Sequence, residues 1–461
     1  MRLPKSGIHI VGIGGAGMSA IARVLVGNGY QITGSDAKDS KRLLALQQLG
    51  VKVFVGHFPE NVSNAQVVIS STAIPDENIE LVTARAKGLM VLNRAQALSV
   101  MLADQKVIAI AGTHGKTTTT SMTTIELQHL GLDPSFIIGS ELNETGSNGH
   151  FGESDLFIVE ADESDRTFLS LNPEIGIITN IEADHLDRWE SLNEIKSGFF
   201  EFARACKTGL VVCADDAAAI EIASAKELSN VSVISYGFGA NAKLRITNQK
   251  INTNFWQADL LLDGETIGQL VLQVPGNHNL LNATAAIAAG ILLGHPPEKL
   301  IEGLKKFTGT RRRFEYRGIG NRVKVFDDYA HHPTEVRATL TAAKTVAQEG
   351  SVIVVFQPFR YYRVNAFLTE FADALQLADK VIVLETYAPG EQAIPGSGGA
   401  AVAAAITARN TQVVFEPSFL KVVDLVCEWA TPGDIVLTLG AGDMAMLAPE
   451  IVTGLQRKNN E

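Results

Sequence analysis

The chain has 461 residues, 46% of them hydrophobic, which suits about three domains with full cores. Its 39 lysines and arginines against 50 acidic residues, a balance of −11, argue against nucleic acid as the main partner. An anionic small molecule stays open, because local N–H groups and arginines hold phosphate even on an acidic protein. No apolar run reaches spanning length, residues 1–6 lack the apolar core of a signal peptide, and Cys206, Cys213 and Cys427 show no C-x-x-C spacing. A cytoplasmic protein with reduced core cysteines and no membrane insertion is expected.

Residues 8–17, Ile-His-Ile-Val-Gly-Ile-Gly-Gly-Ala-Gly, read as a strand running into Gly12-x-Gly14-x-x-Gly17, with a helix from Met18 to Asn28 after it. This is a dinucleotide-type opening. The next strand, Tyr30 to Ser35, ends at Asp36, about where a ribose-binding acid sits in such a fold. A helix over 40–49 and strands over 51–55 and 66–71, the last ending in Ser70-Ser71, complete an α/β domain that reaches residue 104. The glycine pattern alone is a weak signal, and by itself it suggests an NAD(P) enzyme.

Residues 107–121, Val-Ile-Ala-Ile-Ala-Gly-Thr-His-Gly-Lys-Thr-Thr-Thr-Thr-Ser, change that reading. A buried strand delivers the chain to a turn whose glycines let N–H groups approach phosphate oxygens, and a helix dipole follows. Lys116 would bridge β- and γ-phosphates, and Thr117 would offer its hydroxyl to Mg²⁺. The usual pattern has a glycine five residues before Gly115, where Ile110 stands; Gly112 lies only three before it, so the loop is a short variant. A strand-to-helix turn that happens to contain Gly-Lys-Thr is the plainer alternative. The central unit, 105–310, continues with strands at Leu156–Val159, Ile175–Thr179 and Leu210–Cys213, added antiparallel strands within 243–274, and an Ala-rich helix over 280–293. Strand 156–159 ends in Glu160-Ala161-Asp162-Glu163-Ser164-Asp165, and the next in Thr-Asn-Ile-Glu-Ala-Asp-His at 179–185. Acids at a strand's carboxyl end beside a phosphate loop suit Mg²⁺, with His185 as a second metal ligand; a solvated acidic loop and a structural histidine are the plainer readings.

The third unit, 311–461, alternates again, with strands near 323–327, 351–356, 380–384 and 434–439. Its last strand ends in Gly440-Ala441-Gly442-Asp443, which reads as a strand-end turn more readily than as a second phosphate turn.

Taken in order, Gly-Thr-His-Gly-Lys-Thr at 112–117, Glu-Ala-Asp-Glu-Ser-Asp at 160–165, Thr-Asn-Ile-Glu-Ala-Asp-His at 179–185, Gly-Asn-His-Asn-x-x-Asn-Ala at 276–283, Arg-Arg-Phe at 312–314 and Asp-Asp-Tyr-Ala-His-His-Pro-Thr-Glu at 327–335 closely resemble the Mur ligases. The resemblance covers nearly the whole chain and is closest to the alanine-adding branch. It implies a Rossmann-like N-terminal domain (1–104) for a UDP-sugar, a central P-loop ATPase-like domain (105–310), and a Rossmann-like C-terminal domain (311–461) for an amino acid. It implies ATP-driven joining of L-alanine to the lactyl carboxylate of UDP-N-acetylmuramate through an acyl phosphate. Lys116, Glu160 and His185 would serve the chemistry, with Thr117, Glu160 and His185 on Mg²⁺. Gly112, Thr113, His114, Gly115, Lys116, Thr117, Thr118, Asn279, Asn282, Arg313 and Asp328 would meet ATP, although Asn279 also reads more plainly as a helix cap. The sugar nucleotide would fall to Gly12, Gly14, Gly15, Ala16, Gly17, Asp36, Ser70 and Ser71. Closure about a hinge near 309–314 would assemble such a site and exclude water from the acyl phosphate.

Where the alanine-adding branch has His-Arg-Tyr-x-Arg-Thr, this chain has Phe359-Arg360-Tyr361-Tyr362-Arg363-Val364. Both arginines, which would hold the amino acid's carboxylate, are kept; Tyr329, His331 and Phe359 would complete the pocket. No lysine suits the carboxylated role that some relatives use, and Lys196 reads as a helix-surface residue. Glycine, serine or a recycled peptide as the added group, and an NAD(P)-dependent oxidoreductase explaining only residues 8–36, are the rival functions.

Overall fold

The computed structural model describes residues 2–186, 188–251, 255–407 and 412–458. Its α/β architecture rests on three sheets. The first is five-stranded and parallel, in the order Lys52–Val55, Ile32–Asp36, Ile8–Val11, Val67–Ser70, Met90–Asn93. Ile8–Val11 is therefore central, and the loops after it and its two neighbours, which carry Gly12–Gly17, Asp36 and Ser70-Ser71, leave from one sheet end. The helix after the first loop is Ala16–Gly27, beginning two residues before the expected Met18 because Gly15 is the extended N-cap.

The second sheet has ten strands, with Lys106–Ala111 between Ile175–Ile178 and Leu156–Glu160, both parallel to it. That order sets the phosphate loop, the acidic segment and Thr179–His185 at three adjacent carboxyl ends, the usual ligand position in an open α/β sheet. Strands Gly209–Cys213 and Ser232–Gly237 extend one side, followed by Leu244–Ile251, Trp256–Leu262 and Glu265–Leu272. Asp263 and Gly264 both have positive φ, 51° and 89°, the turn that joins antiparallel strands.

The third sheet runs Glu315–Gly320, Val323–Asp328, Ile435–Leu439, Val352–Phe356, Lys380–Val383, Gln412–Phe415, with only the first pair antiparallel. Val352, Val354 and Phe356 pack into one apolar layer and Ile353 and Val355 into another, so the strand is buried on both faces and its sequence is an unbroken apolar run.

By compactness the chain forms two units. One comprises Met1–Asn248, Asp259–Leu270 and Leu281–Phe307; the other Gln249–Ala258, Val271–Leu280 and Thr308–Glu461. Among the described residues no helix is long and apolar enough to cross a membrane. Cys206 and Cys213 are buried, Cys427 is half-buried, and all three are unpaired thiols.

Candidate active site

The phosphate loop is shaped by two glycines. Gly112 has φ +135°, and a Cβ there would run into Thr179 Oγ1; Gly115, the left-handed N-cap of helix Lys116–His129 at φ +82°, sits under Asn282 Oδ1. Neither place admits another residue type without displacement. The next strand end fastens the loop: Thr179 Oγ1 donates to the His114 carbonyl at 2.6 Å, and the His114 N–H donates to Asn180 Oδ1 at 2.8 Å. Glu182 N–H donates to Thr113 Oγ1 at 2.8 Å. Behind the loop, Thr120, Ser121, Thr123 and Thr124 each donate a hydroxyl to the carbonyl four residues back, which lets a Thr-rich helix run buried.

Lys116 Nζ lies 2.6 Å from the Gly112 carbonyl, 3.1 Å from that of Thr113 and 2.7 Å from Glu163 Oε2. Burial works against the ammonium, but Glu163, Asp162 and Glu160 outweigh it and hold its pKa above the ordinary lysine value. Burial, against the pull of Lys116, pushes Glu163 up to about 7. Thr117 Oγ1 donates to Glu160 Oε1 at 3.1 Å, and the Gly139 N–H donates to the other oxygen of Glu160 at 2.7 Å. Thr117 and Glu160 thus come together as oxygen donors. His185, with φ +53°, places Nε2 3.6 Å from Glu163 and 3.6 Å from Asp184, so Glu163 stands between the lysine and the histidine.

At the first loop, the Gly14 N–H donates to Asp36 Oδ2 at 2.9 Å, so this carboxylate braces the glycine turn. Gly12 and Ile13 both donate to the Ser35 carbonyl, and the Ser71 N–H donates to that of Val11. Arg94 lies against Gly17 and reaches Asp165 at 3.4 Å and Asp162 at 3.7 Å, joining the first loop to the acidic segment.

In the third sheet's unit, Asp328 accepts the N–H groups of Phe314 and Ala330, both at 2.7 Å. Burial, against the pull of Arg313, pushes it up to about 6. Arg313 approaches Glu335 at 3.6 Å. Asn279 falls inside helix Asn277–Leu292, which starts three residues earlier than expected, straight after Gly276, so it is not the residue that opens the helix; its side chain donates to the Pro275 carbonyl at 2.6 Å. Phe359 is ringed by aromatic and cationic groups: His331 meets it edge-on at 5.6 Å, Tyr387 stacks at 6.0 Å, and the guanidinium carbons of Arg360 and Arg363 lie 5.3 and 5.6 Å from its centroid. Tyr329 meets His331 at 5.0 Å. Arg312 donates to the Gly440 and Gly442 carbonyls at 2.7 and 3.0 Å, which makes Gly440–Asp443 a cation-held strand-end turn. Lys196 pairs with Glu221 at 2.8 Å on a helix surface.

Sequence reasoning did not find Glu163 as the partner of Lys116, the Gly139 contact to Glu160, Arg94, or Tyr387. The four-acid run signalled Glu163; nothing local signalled the others, which arrive from distant strand ends.

A short phosphate loop, an acidic segment and a glycine-rich opening, each at the carboxyl ends of parallel strands, define an α/β protein of the P-loop nucleotide-using class. Three family models match along the chain: the Mur ligase family catalytic domain over residues 7–106, the Mur ligase middle domain over 110–290, and the Mur ligase glutamate ligase domain over 312–442. The chain belongs to the Mur ligase family. It is 47% identical over 453 residues to a UDP-N-acetylmuramate–L-alanine ligase of Acidothermus cellulolyticus, covering 98% of this chain and 95% of that one. To the Saccharopolyspora erythraea protein of the same name it is 45% identical, covering 98% and 94%. The crystal structure of UDP-N-acetylmuramate-alanine ligase from Thermotoga maritima superposes with a TM-score of 0.85 at 30% identity, over 98% of this chain and 99% of that one.

Proposed function

We propose that this chain is an ATP-dependent ligase that joins the amine of L-alanine to the lactyl carboxylate of UDP-N-acetylmuramate, a cytoplasmic step of peptidoglycan precursor synthesis that releases ADP and phosphate. The observation that carries the reading is the convergence of Lys116, Thr117, Glu160 and Glu163 behind a glycine-shaped loop, with full-length likeness to ligases of that name. The work divides among residues 1–104 for the sugar nucleotide, 105–310 for ATP and 311–461 for the amino acid.

The first step brings a carboxylate to the γ-phosphorus of ATP, anion against anion, so its barrier is electrostatic. Lys116 supplies one compensating charge, and the N–H groups that open helix Lys116–His129 supply dipoles. Thr117 and Glu160, oxygen donors 3.1 Å apart, suit a hard cation and would hold Mg²⁺, with Glu160 and His185 on a second ion. The ion, when bound, neutralises charge on the triphosphate. Asn279, Asn282, Arg313 and Asp328 would serve adenine, phosphate and ribose. Gly12, Gly14, Gly15, Ala16, Gly17, Ser70 and Ser71 would face the UDP-sugar, with Asp36 bracing the turn. In the second step the neutral alanine amine attacks the acyl carbonyl carbon, phosphate leaves with the C–O bond electrons, and the proton lost by the nitrogen goes to the departing phosphate. Arg360 and Arg363 would hold the alanine carboxylate beside Tyr329, His331 and Phe359.

Mass spectrometry of the products formed from UDP-N-acetylmuramate, ATP and L-alanine tests this. The alanyl conjugate with ADP is expected. A nicotinamide-dependent absorbance change with no conjugate would overturn it in favour of an oxidoreductase.

A further inference from the structure

Arg360 has a conformation that its own residue type does not favour. Its φ is +69°, and it stands as the N-cap of helix Tyr361–Leu375 with no side-chain cap of its own. A non-glycine residue in that region carries a cost that surrounding contacts must offset. Those contacts come from a segment beyond the next strand. Glu391 Oε1 accepts from Arg360 Nη1 at 2.8 Å, while Oε2 accepts the backbone N–H of Tyr361 at 2.8 Å. One carboxylate therefore fixes the backbone just after the strained residue and aims its guanidinium. The same segment is laced to the arginine turn twice more: the Arg360 N–H donates to the Tyr387 carbonyl at 3.0 Å, and the Tyr387 N–H donates to that of Pro358 at 2.9 Å. The Tyr387 ring then stacks on Phe359.

We infer that Glu391 is the positioning residue of the amino-acid pocket, holding Arg360 in the one arrangement that captures an amino acid's α-carboxylate. The inference rests on the reading of Arg360 as a carboxylate ligand. Glu391 engages Arg360 through a single guanidinium nitrogen and uses its other oxygen on backbone, so a second guanidinium edge is left for a bidentate partner. A carboxylate built to compete with substrate would occupy that fork itself. Pre-aiming the guanidinium removes rotamer entropy that the small substrate would otherwise have to overcome on binding.

The test is a kinetic double-mutant cycle of Glu391→Gln and Arg360→Ala, with thermal melts to show that each variant folds. Glu391→Gln should raise the KM for L-alanine about tenfold, the scale of one charge-assisted contact. The KM values for ATP and UDP-N-acetylmuramate should hold, and kcat at saturating L-alanine should change little. Glu391→Asp should recover part of the loss. In the Arg360→Ala background, Glu391→Gln should add nothing. An unchanged L-alanine KM in Glu391→Gln, beside a raised one in Arg360→Ala, overturns the positioning role alone, and a lowered KM does so by showing competition. If Arg360→Ala itself leaves that KM unchanged, the pocket reading fails and takes the inference with it.

Discussion

Lys116 commits its ammonium to two loop carbonyls and Glu163, so its removal takes away both charge and loop geometry. Lys116→Ala should abolish acyl-phosphate formation, lowering kcat by about a hundredfold or more, as losses of preorganised charge do. Calorimetry should show the UDP-N-acetylmuramate affinity nearly unchanged; a lost affinity would count against separate sites. Glu160→Gln should disturb the Mg²⁺ activation curve more than His185→Ala, because Glu160 would serve both ions; superimposable curves for both variants and the parent would remove the metal assignment. Phe359 poses a contest between two effects. Its ring faces two guanidinium groups, a contact worth about 0.5–2 kcal/mol, whereas a histidine there would add a charge-assisted hydrogen bond worth roughly 1.5–3 kcal/mol. The hydrogen bond outweighs the ring contact by about 1 kcal/mol, so Phe359→His should lower the L-alanine KM about fivefold without moving that for ATP. Steady-state kinetics showing an unchanged or higher KM with L-alanine, glycine and L-serine would contradict this.

Helix Lys116–His129 carries an unusual liability for an element so close to the site. Glu126 is fully buried, and neither carboxyl oxygen has a hydrogen-bond partner among the described residues. Burial therefore pushes its pKa well above the ordinary carboxylate value. A raised pKa contributes stability below the unfolded value near 4.5 and withdraws it as pH rises. Glu126→Met, which keeps length and helix propensity, should stabilise the protein at pH 7 by about 1–3 kcal/mol and by less at pH 4. Denaturant melts at both values check it, and a destabilised variant at pH 7 would show that the carboxyl has a use. Elements differ in how far they can be read from the sequence. Val352–Phe356 is legible because both its faces are buried and the run is all apolar. Met90–Asn93, Ser135–Ile137 and Gln412–Phe415 are not: they are short, and two of them expose polar ends, so no periodicity builds up. The plainer alternative for Asn279, that it is the residue opening the helix, does not hold, because the helix starts at the turn of Gly276, which sequence spacing leaves undetermined. In the candidate site the phosphate loop and acidic run are visible as contiguous motifs. Arg94 and Glu391 are not, since each acts on residues brought to it only by strand order.

On the scale of the whole molecule, the first sheet is tied by a buried network centred on Glu80, which Ser35, His57, Asn61 and the Phe58 N–H all contact. Burial raises its pKa, but hydrogen bonds from His9, Ser35, Asn61 and His57 outweigh that and hold it at about 2. The depressed value means that its stabilisation is present above the ordinary value of 4.5 and disappears as pH falls toward 2, a loss on the order of 3 kcal/mol. Glu80→Gln should remove that part of the acid dependence, and a melt series from pH 6 to 2.5 with an unaltered slope would contradict it. The first glycine loop, the phosphate loop and Arg360 each follow the carboxyl end of a parallel strand, so the proposed division of three substrates over three sheets would use one α/β plan three times. The most direct measurement of that division of labour is the initial rate of phosphate release with ATP and Mg²⁺ while UDP-N-acetylmuramate and L-alanine are omitted in turn. Sustained release only when both are present is the predicted result; release that ignores either omission, or none with both present, would contradict it.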